Sequence, residues 1–447
     1  VGTRRERVAD SLCALIGKPA RQDRVLDLTY CAELSAPDFA AAARALALTT
    51  MFAGVRAYDL PLGDAVAALG ECARGGGVDG STISLTHLTL SGVLPDGSRR
   101  AAFRSLADAL VAGAAAGLPL THLDWSHNDG RDAAVGGAAQ VAAALPHALE
   151  TLDLTHCHAG RAATAALAAA LDAHHSHAGS LQVLRLGGNE VGKGGGALAS
   201  FLRRAAALRE LSVGGSACSV AAVAAALAHG APQLATLDVS AVRLGRADVA
   251  ALVAFGASSA ALTSLSVARC GVEADSVLAI AQSLQLNPRL SATALDASGN
   301  ALGAVGGYLL AAALPTLSKL TALHVDEIGR GPDLPPELAG GSGSRNGTPE
   351  KDSSPADGGN SFSRGRDRSN SSDAAKASAP GAAVLLLEAL AAAAAALPAL
   401  TSVALGHTAV GTPDRLATAL HAFLIGAPQL KALYLAGSGA SRLRGAL

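Results

Sequence analysis

Aromatic residues make up only 3% of the 447-residue chain, with one Trp and one Met. A platform of stacked rings for nucleic-acid bases is therefore not expected, and the interior has to be filled by Leu, Val and Ala. An excess of charge of one sign is missing too: 35 Lys and Arg stand against 36 Asp and Glu, a formal net charge of −1. With no local basic patch to draw a phosphate backbone, no nucleic-acid partner is expected. The six cysteines (13, 31, 72, 157, 218 and 270) lie far apart and form no CxxC pair, as in a reduced cytosolic protein rather than a disulfide framework. No strongly apolar run reaches the ~20 residues of a membrane helix. The most apolar stretch, Ala382 to Leu397, is mostly Ala and contains Glu388. The chain begins at Val1 rather than Met, which marks it as an expected fragment. Arg4, Arg5, Glu6 and Arg7 precede only a short apolar piece, Leu12 to Ile16, so a secretory signal is not expected.

What the sequence has in abundance is leucine at fixed intervals. The phrase L-x-x-L-x-L occurs at Leu85–Leu90, Leu120–Trp125, Leu149–Leu154, Leu181–Leu186, Leu208–Val213, Leu234–Val239, Leu262–Val267, Leu320–Val325, Leu400–Leu405 and Leu430–Leu435, with a partial copy at Leu26-Asp-Leu28. Counting Leu290 as a further start, successive first leucines from Leu85 to Leu320 lie 35, 29, 32, 27, 26, 28, 28 and 30 residues apart. This is the period of leucine-rich repeats and their longer variants. The expected fold is α/β: a solenoid with a parallel inner sheet and outer helices. Each phrase is a short strand whose fourth and sixth side chains point into the core, while the third, fifth and seventh line the other face. Ala-rich stretches such as Val135 to Leu145, Ala162 to Leu171 and Val220 to Leu227 read as the returning helices. Strands pack closer than helices, ~4.8 Å against ~8–10 Å, so such a stack is expected to curve into a horseshoe with the sheet inside.

The ninth position of the phrase is small or polar: Cys31, Asn128, Cys157, Asn189, Ser216, Cys270 and, after a one-residue insertion, Asn300. A buried polar side chain needs partners, so these residues are expected to bond the turn backbone rather than act as reactive thiols. Trp125, at a sixth position, is expected in the core rather than as an aromatic anchor. The repeat fails over the 80 residues from Leu320 to Leu400, where Gly329 to Gly381 is rich in Gly, Ser, Pro and mixed charge. That stretch reads as a disordered insertion. Arg364, Arg366 and Arg368 beside Ser363, Ser369, Ser371 and Ser372 make it either a solvated spacer or a phosphorylation or docking segment. The domain reading is an N-terminal flank at 1–24, repeats over 25–328, the insertion at 329–381, and further repeats over 382–447 that stop inside a repeat.

Candidate chemistry is thin. Gly187 to Gly194 has the GxxxxGK spacing of a phosphate loop, but Gly194 stands where a magnesium-binding Ser or Thr is required. His156, His158, His174, His175 and His177 do not have the spacing of four converging zinc ligands. Asp124, Asp153, Asp238 and Asp296 recur at the fifth strand position, and recurrence points to scaffold rather than catalysis. No catalytic residue, cofactor or metal is expected, and no enzyme activity. The fifth-position row reads Asp27, Thr89, Asp124, Asp153, Arg185, Ser212, Asp238, Ser266, Asp296, His324, Ala404 and Tyr434. It forms a polar, mildly acidic concave face suited to a folded partner or a basic peptide. Asp124, Asp153, Arg185, Asp238, Asp296, His324 and Tyr434 are the candidate protein-binding residues.

The repeat length and the turn phrase from Asn189 to Leu198 resemble the ribonuclease-inhibitor-like class of leucine-rich repeats. Within that class, Arg24 to Leu28, Leu120 to Asn128, Cys218 to Val223 with Gln233 to Ser240, and the irregular Leu286 to Asn300 resemble the repeat region of the CARMIL family. These proteins link capping protein, Arp2/3 and myosin I. The resemblance implies a non-enzymatic regulator of actin assembly in the cytoplasm at the plasma membrane. It also implies a membrane-binding domain upstream, and a homodimerisation region and capping-protein motif downstream. The alternative is another binding module of the same class, an innate-immune sensor array or a GTPase-activating repeat protein.

Overall fold

The inward leucines and the Ala-rich segments between them form the two layers of a repeat array. In the computed structural model the described residues are 24–29, 35, 37–40, 43, 52–60, 62, 66, 69, 85–94, 100–129, 132–144, 149–173, 177–192, 196–328, 382–407 and 413–435. They fall into two compact units, the first comprising residues 1–272 and 279–297, the second 273–278 and 298–447. The flank at 1–23 and the insertion at 329–381 lie outside the described residues.

In the first unit ten parallel strands pair in sequence order: β1 (Val25–Asp27), β2 (Gly54–Tyr58), β3 (His87–Ser91), β4 (His122–Asp124), β5 (Thr151–Asp153), β6 (Val183–Arg185), β7 (Glu210–Ser212), β8 (Thr236–Asp238), β9 (Ser264–Ser266) and β10 (Thr293–Asp296). The fourth-position Leu of one strand lies opposite that of the next, as Leu123 to Leu152 and Leu184 to Leu211. Parallel hydrogen bonds continue past the strands into the turns: Trp125 N–H donates to Asp153 O at 2.9 Å and His127 N–H to Thr155 O at 2.7 Å.

Between the strands run α1 (Arg100–Ala115), α2 (Asp132–Ala144), α3 (Arg161–Ala173), α4 (His177–Ser180), α5 (Gly196–Leu202), α6 (Val220–Gly230) and α7 (Arg246–Ser258). α8 (Ala274–Leu286) carries residues of both units. Small residues let these helices approach closely: a Cβ on Gly230 would sit 2.0 Å from Leu202 O, so only Gly fits there. Trp125 is fully buried against Phe103, ring centroids 5.3 Å apart, as its sixth position requires.

In the second unit α9 (Gly303–Ala313), α10 (Ala382–Ala393) and α11 (Pro413–Gly426) accompany β11 (Leu320–His324), β12 (Ser402–Ala404) and β13 (Ala432–Tyr434). β11 pairs directly with β12, Leu323 opposite Val403, although 80 residues separate them, and β12 pairs with β13.

Two details differ from the sequence reading. β2 is a complete repeat strand that the leucine phrase does not reveal, because Val55 and Ala57 occupy its inward positions. The irregularity before β10 spans two residues, not one: Leu262 precedes Leu265 by three positions, whereas Leu290 precedes Leu295 by five, and Leu265 and Leu295 are register partners.

Candidate functional site on the polar face of the sheet

After β2 to β9 the chain turns at the eighth position of the phrase, and there the backbone is left-handed. His127, His156, Ala241 and Arg269 have φ between 54° and 57°, and Gly92, Gly188 and Gly215 between 64° and 71°. The ninth residue then enters the interior and ties two repeats together. Asn128 Nδ2 donates to Leu90 O at 2.6 Å and Trp125 O at 2.9 Å, while its Oδ1 accepts from Leu94 N–H at 2.8 Å. Asn189 makes the same set with Leu154 O, Leu186 O and Ala159 N–H. Cys157 and Cys270 substitute a thiol, donating to Trp125 O at 3.1 Å and Val239 O at 3.2 Å. Burial pushes the Cys157 thiol up to about 12 and the Cys270 thiol up to about 11, the opposite of what a nucleophile needs.

The fifth-position residues of the first unit form one ladder by register: Asp27, Arg56, Thr89, Asp124, Asp153, Arg185, Ser212, Asp238, Ser266 and Asp296. Arg56 enters the row through β2, the strand without a leucine phrase. His324 and Tyr434 belong to the second unit, where Ala404 stands between them in register. Tyr434 is exposed, and His324 Nε2 lies 3.4 Å from Ser402 Oγ.

Each first-unit Asp has a local duty. Oδ1 of Asp27, Asp124, Asp153 and Asp238 accepts the N–H two residues on, from Thr29, Ser126, Thr155 and Ser240, at 2.9–3.1 Å. These turns end the strands. The other carboxylate oxygen faces a neighbouring repeat. Asp27 pairs with Arg56 at 3.6 Å, Asp153 with Arg185 at 3.2 Å, and Arg185 also holds Glu210 at 2.6 Å. Asp238 accepts from Ser212 Oγ at 2.7 Å and Asp296 from Ser266 Oγ at 3.2 Å. Asp124 differs: its donor is Ser126, and among the described residues no cation lies within ion-pair distance. Burial raises its pKa, the bonds from Ser126 oppose the rise, and Asp153 adds to it.

Two histidine pairs flank the ladder. His87 and His122 stack on the sheet face with ring centroids 5.5 Å apart, and His127 and His156 meet in the turns at 5.0 Å. Burial, aided by the neighbouring His87, lowers the pKa of His122 to about 4. Sequence spacing held the signal for both pairs, since 35 and 29 residues separate their members, the lengths of the repeats they begin and end.

The other candidates do not assemble. His177 is buried with Nε2 2.7 Å from Ala142 O, and His174 and His175 lie outside the described residues. Among the described residues no group of three or more His, Cys, Asp or Glu is placed to hold a metal. In the phosphate-loop-like segment Asn189 is already engaged by the repeat, and Lys193 and Gly194 lie outside the described residues.

In-register three- to five-residue strands, returning helices and a polar ninth residue bonded across repeats define an α/β leucine-rich-repeat solenoid. No protein-family model matches the chain, and no curated protein matches it. Similar solved structures include an internalin from Listeria monocytogenes, 14% identical, covering 62% of this chain and 62% of that one with a TM-score of 0.35. A chain of the yeast Rad7 and Elc1 complex is 12% identical over 97% of this chain and 93% of its own, with a TM-score of 0.41. A chain of a complex of TLR13 with ssRNA13 is 17% identical over 55% of this chain and 33% of its own, with a TM-score of 0.32. The chain thus spans less than two thirds of the length of the internalin and about a third of the TLR13 chain.

Proposed function

We propose that the chain is a non-enzymatic protein-interaction scaffold that offers the polar face of its sheet to a protein partner. The observation that carries this reading is the fifth-position ladder, which sets one side chain per repeat on a single surface from Asp27 to Asp296. Repeat arrays recognise partners through such extended surfaces. Asp124, Asp153, Arg185, Asp238 and Asp296 in the first unit, with His324 and Tyr434 in the second, are the proposed contact residues. The segment 329–381 is proposed as a spacer within one repeat.

The finer reading is CARMIL-like. It comprises regulation of actin filament assembly and capping protein in the cytoplasm at the plasma membrane, with the Arp2/3 and myosin I machinery, the membrane and a second copy engaged through regions outside this chain. The sequence features at 24–28, 120–128 and 286–300 support it. Among the described residues no helix is long and apolar enough to cross a membrane, so attachment would come from elsewhere.

The scaffold reading is tested by replacing the half-exposed Ser212 and Ser266 with Arg, which fills the ladder without removing an Asp turn. Partners cross-linked to the wild-type face are expected to be lost. Partners retained by Ser212→Arg/Ser266→Arg overturn the sheet face as the docking surface. The actin reading is tested separately with a longer product of the same gene, and unchanged elongation of capped filaments removes it.

A further inference from the structure

The sheet face is not uniformly open. Thr89, Ser91, Asp124, Ser126 and Asp153, all on that face, are at most 9% exposed, while Arg185, Ser212, Asp238, Ser266 and Asp296 are half-exposed. Thr89, a short side chain, is flanked in the ladder by Arg56 on β2 and Asp124 on β4. His87 and Ser91 precede and follow it on its own strand, and Tyr58 and His122 lie diagonally across. Gly54 and Ser126 complete the diagonal neighbours, so hydroxyls, a carboxylate and aromatic rings share this part of the face. Ser126 Oγ bonds Ser91 Oγ at 2.9 Å beside Thr89.

The charges of this region do not balance. On the third, fifth and seventh positions of β1 to β7, Asp27, Asp124, Asp153 and Glu210 face only Arg56 and Arg185. Arg56 is drawn to Asp27, and Arg185 is shared between Asp153 and Glu210. Among the described residues Asp124 is left nine-tenths buried beside a second carboxylate in register, with no cation within ion-pair distance. A buried carboxylate in that position is costly unless a cation reaches it.

We propose that this part of the face takes an arginine side chain from a protein partner, its guanidinium on Asp124 and its planar face against Tyr58 or the His87–His122 pair. The proposal rests on the scaffold reading and names the partner chemistry for one part of the face. Arginine fits better than lysine because its flat fork matches a carboxylate and stacks on rings, while an ammonium satisfies the charge alone. Tyr58 is 39% exposed, an aromatic edge open to a partner, as at interface hot spots.

The test uses the whole chain and fluorescent hexa-arginine, with hexa-lysine for comparison, read by anisotropy at low ionic strength. Asp124→Asn keeps the acceptor for the Ser126 N–H and removes the charge. It is expected to weaken hexa-arginine about tenfold or more, the scale of a charge-assisted bond, while Asp238→Asn changes it by less than about twofold. Tyr58→Ala, at an exposed position, is expected to narrow the preference for hexa-arginine over hexa-lysine. Equal binding by Asp124→Asn and wild type overturns the proposal, and so does equal affinity of the wild type for the two peptides. If Asp124→Asn has no effect while Ser212→Arg/Ser266→Arg still abolishes cross-linking, this inference alone fails. If neither has an effect, the scaffold reading falls with it.

Discussion

Replacing Asn189 by Ala removes four hydrogen bonds at a position only 3% exposed. Two have no local substitute: the Nδ2 donation to Leu154 O at 2.7 Å, which crosses to the preceding repeat, and the acceptance from Ala159 N–H at 2.9 Å. Leaving a buried donor and a buried acceptor unmatched costs about 1–3 kcal/mol each, so the expected loss is ~3–5 kcal/mol after partial relaxation. Asn189→Cys separates hydrogen bonding from volume. Cys157 already shows that a thiol reaches the equivalent carbonyl, Trp125 O, at 3.1 Å, so this variant is expected to recover about 1 kcal/mol. Because repeat arrays can unfold in segments, denaturant midpoints should be read together with amide exchange at Ala159, whose protection should fall in Asn189→Ala. A loss below about 1 kcal/mol with unchanged protection would refute the bonding role assigned to the ninth position.

The half-buried His122 gives a pH test. Its pKa falls from the ordinary 6.5 to about 4 in the folded protein, so on acidification the unfolded chain takes up a proton first. Stability from this group is therefore complete above pH 6.5 and lost as pH falls toward 4. Solvent screening at a partly open site limits the effect to about 1 kcal/mol. Denaturation at both ends of that window should show a smaller acid loss in His122→Gln than in wild type, and equal losses would sink the assignment. Cys157 and Cys270, with thiols pushed up to about 12 and about 11, are expected to resist iodoacetamide in the native protein and react in denaturant. Peptide mass spectrometry checks this, and full native labelling contradicts their structural duty.

Leucine spacing made the strands, their order and the inward residues legible, because a six-residue phrase repeated at a near-constant interval leaves few other ways to bury its apolar positions. β2 escaped because Val55 and Ala57 fill its core positions as well as Leu would, while carrying no leucine signal. The ninth-position Asn was readable from burial logic alone. The duty of the fifth-position Asp was present but unread: Asp27-Leu-Thr29, Asp124-Trp-Ser126, Asp153-Leu-Thr155 and Asp238-Val-Ser240 share an Asp-x-Ser/Thr pattern whose turn bonds the structure displays. Ion pairs on the face were beyond the sequence, since which acid meets which base depends on register between residues about 30 positions apart.

An acidic row reads from sequence as an acidic surface, and register largely dissolves that expectation. Arg56 and Arg185 each meet a carboxylate of an adjacent repeat, and Ser212 and Ser266 each donate to one, so most of the row is satisfied before a partner arrives. These pairs join half-exposed Arg side chains to largely buried carboxylates, and they decide which charges remain available. A partner that merely carries positive charge would have to compete with Arg56 and Arg185 along most of the ladder. At Asp124 the described residues place no cation within ion-pair distance, because Arg56 is held by Asp27 and Arg185 by Asp153 and Glu210. Specificity on this face therefore follows from where the intramolecular pairing stops rather than from how many acids the row contains.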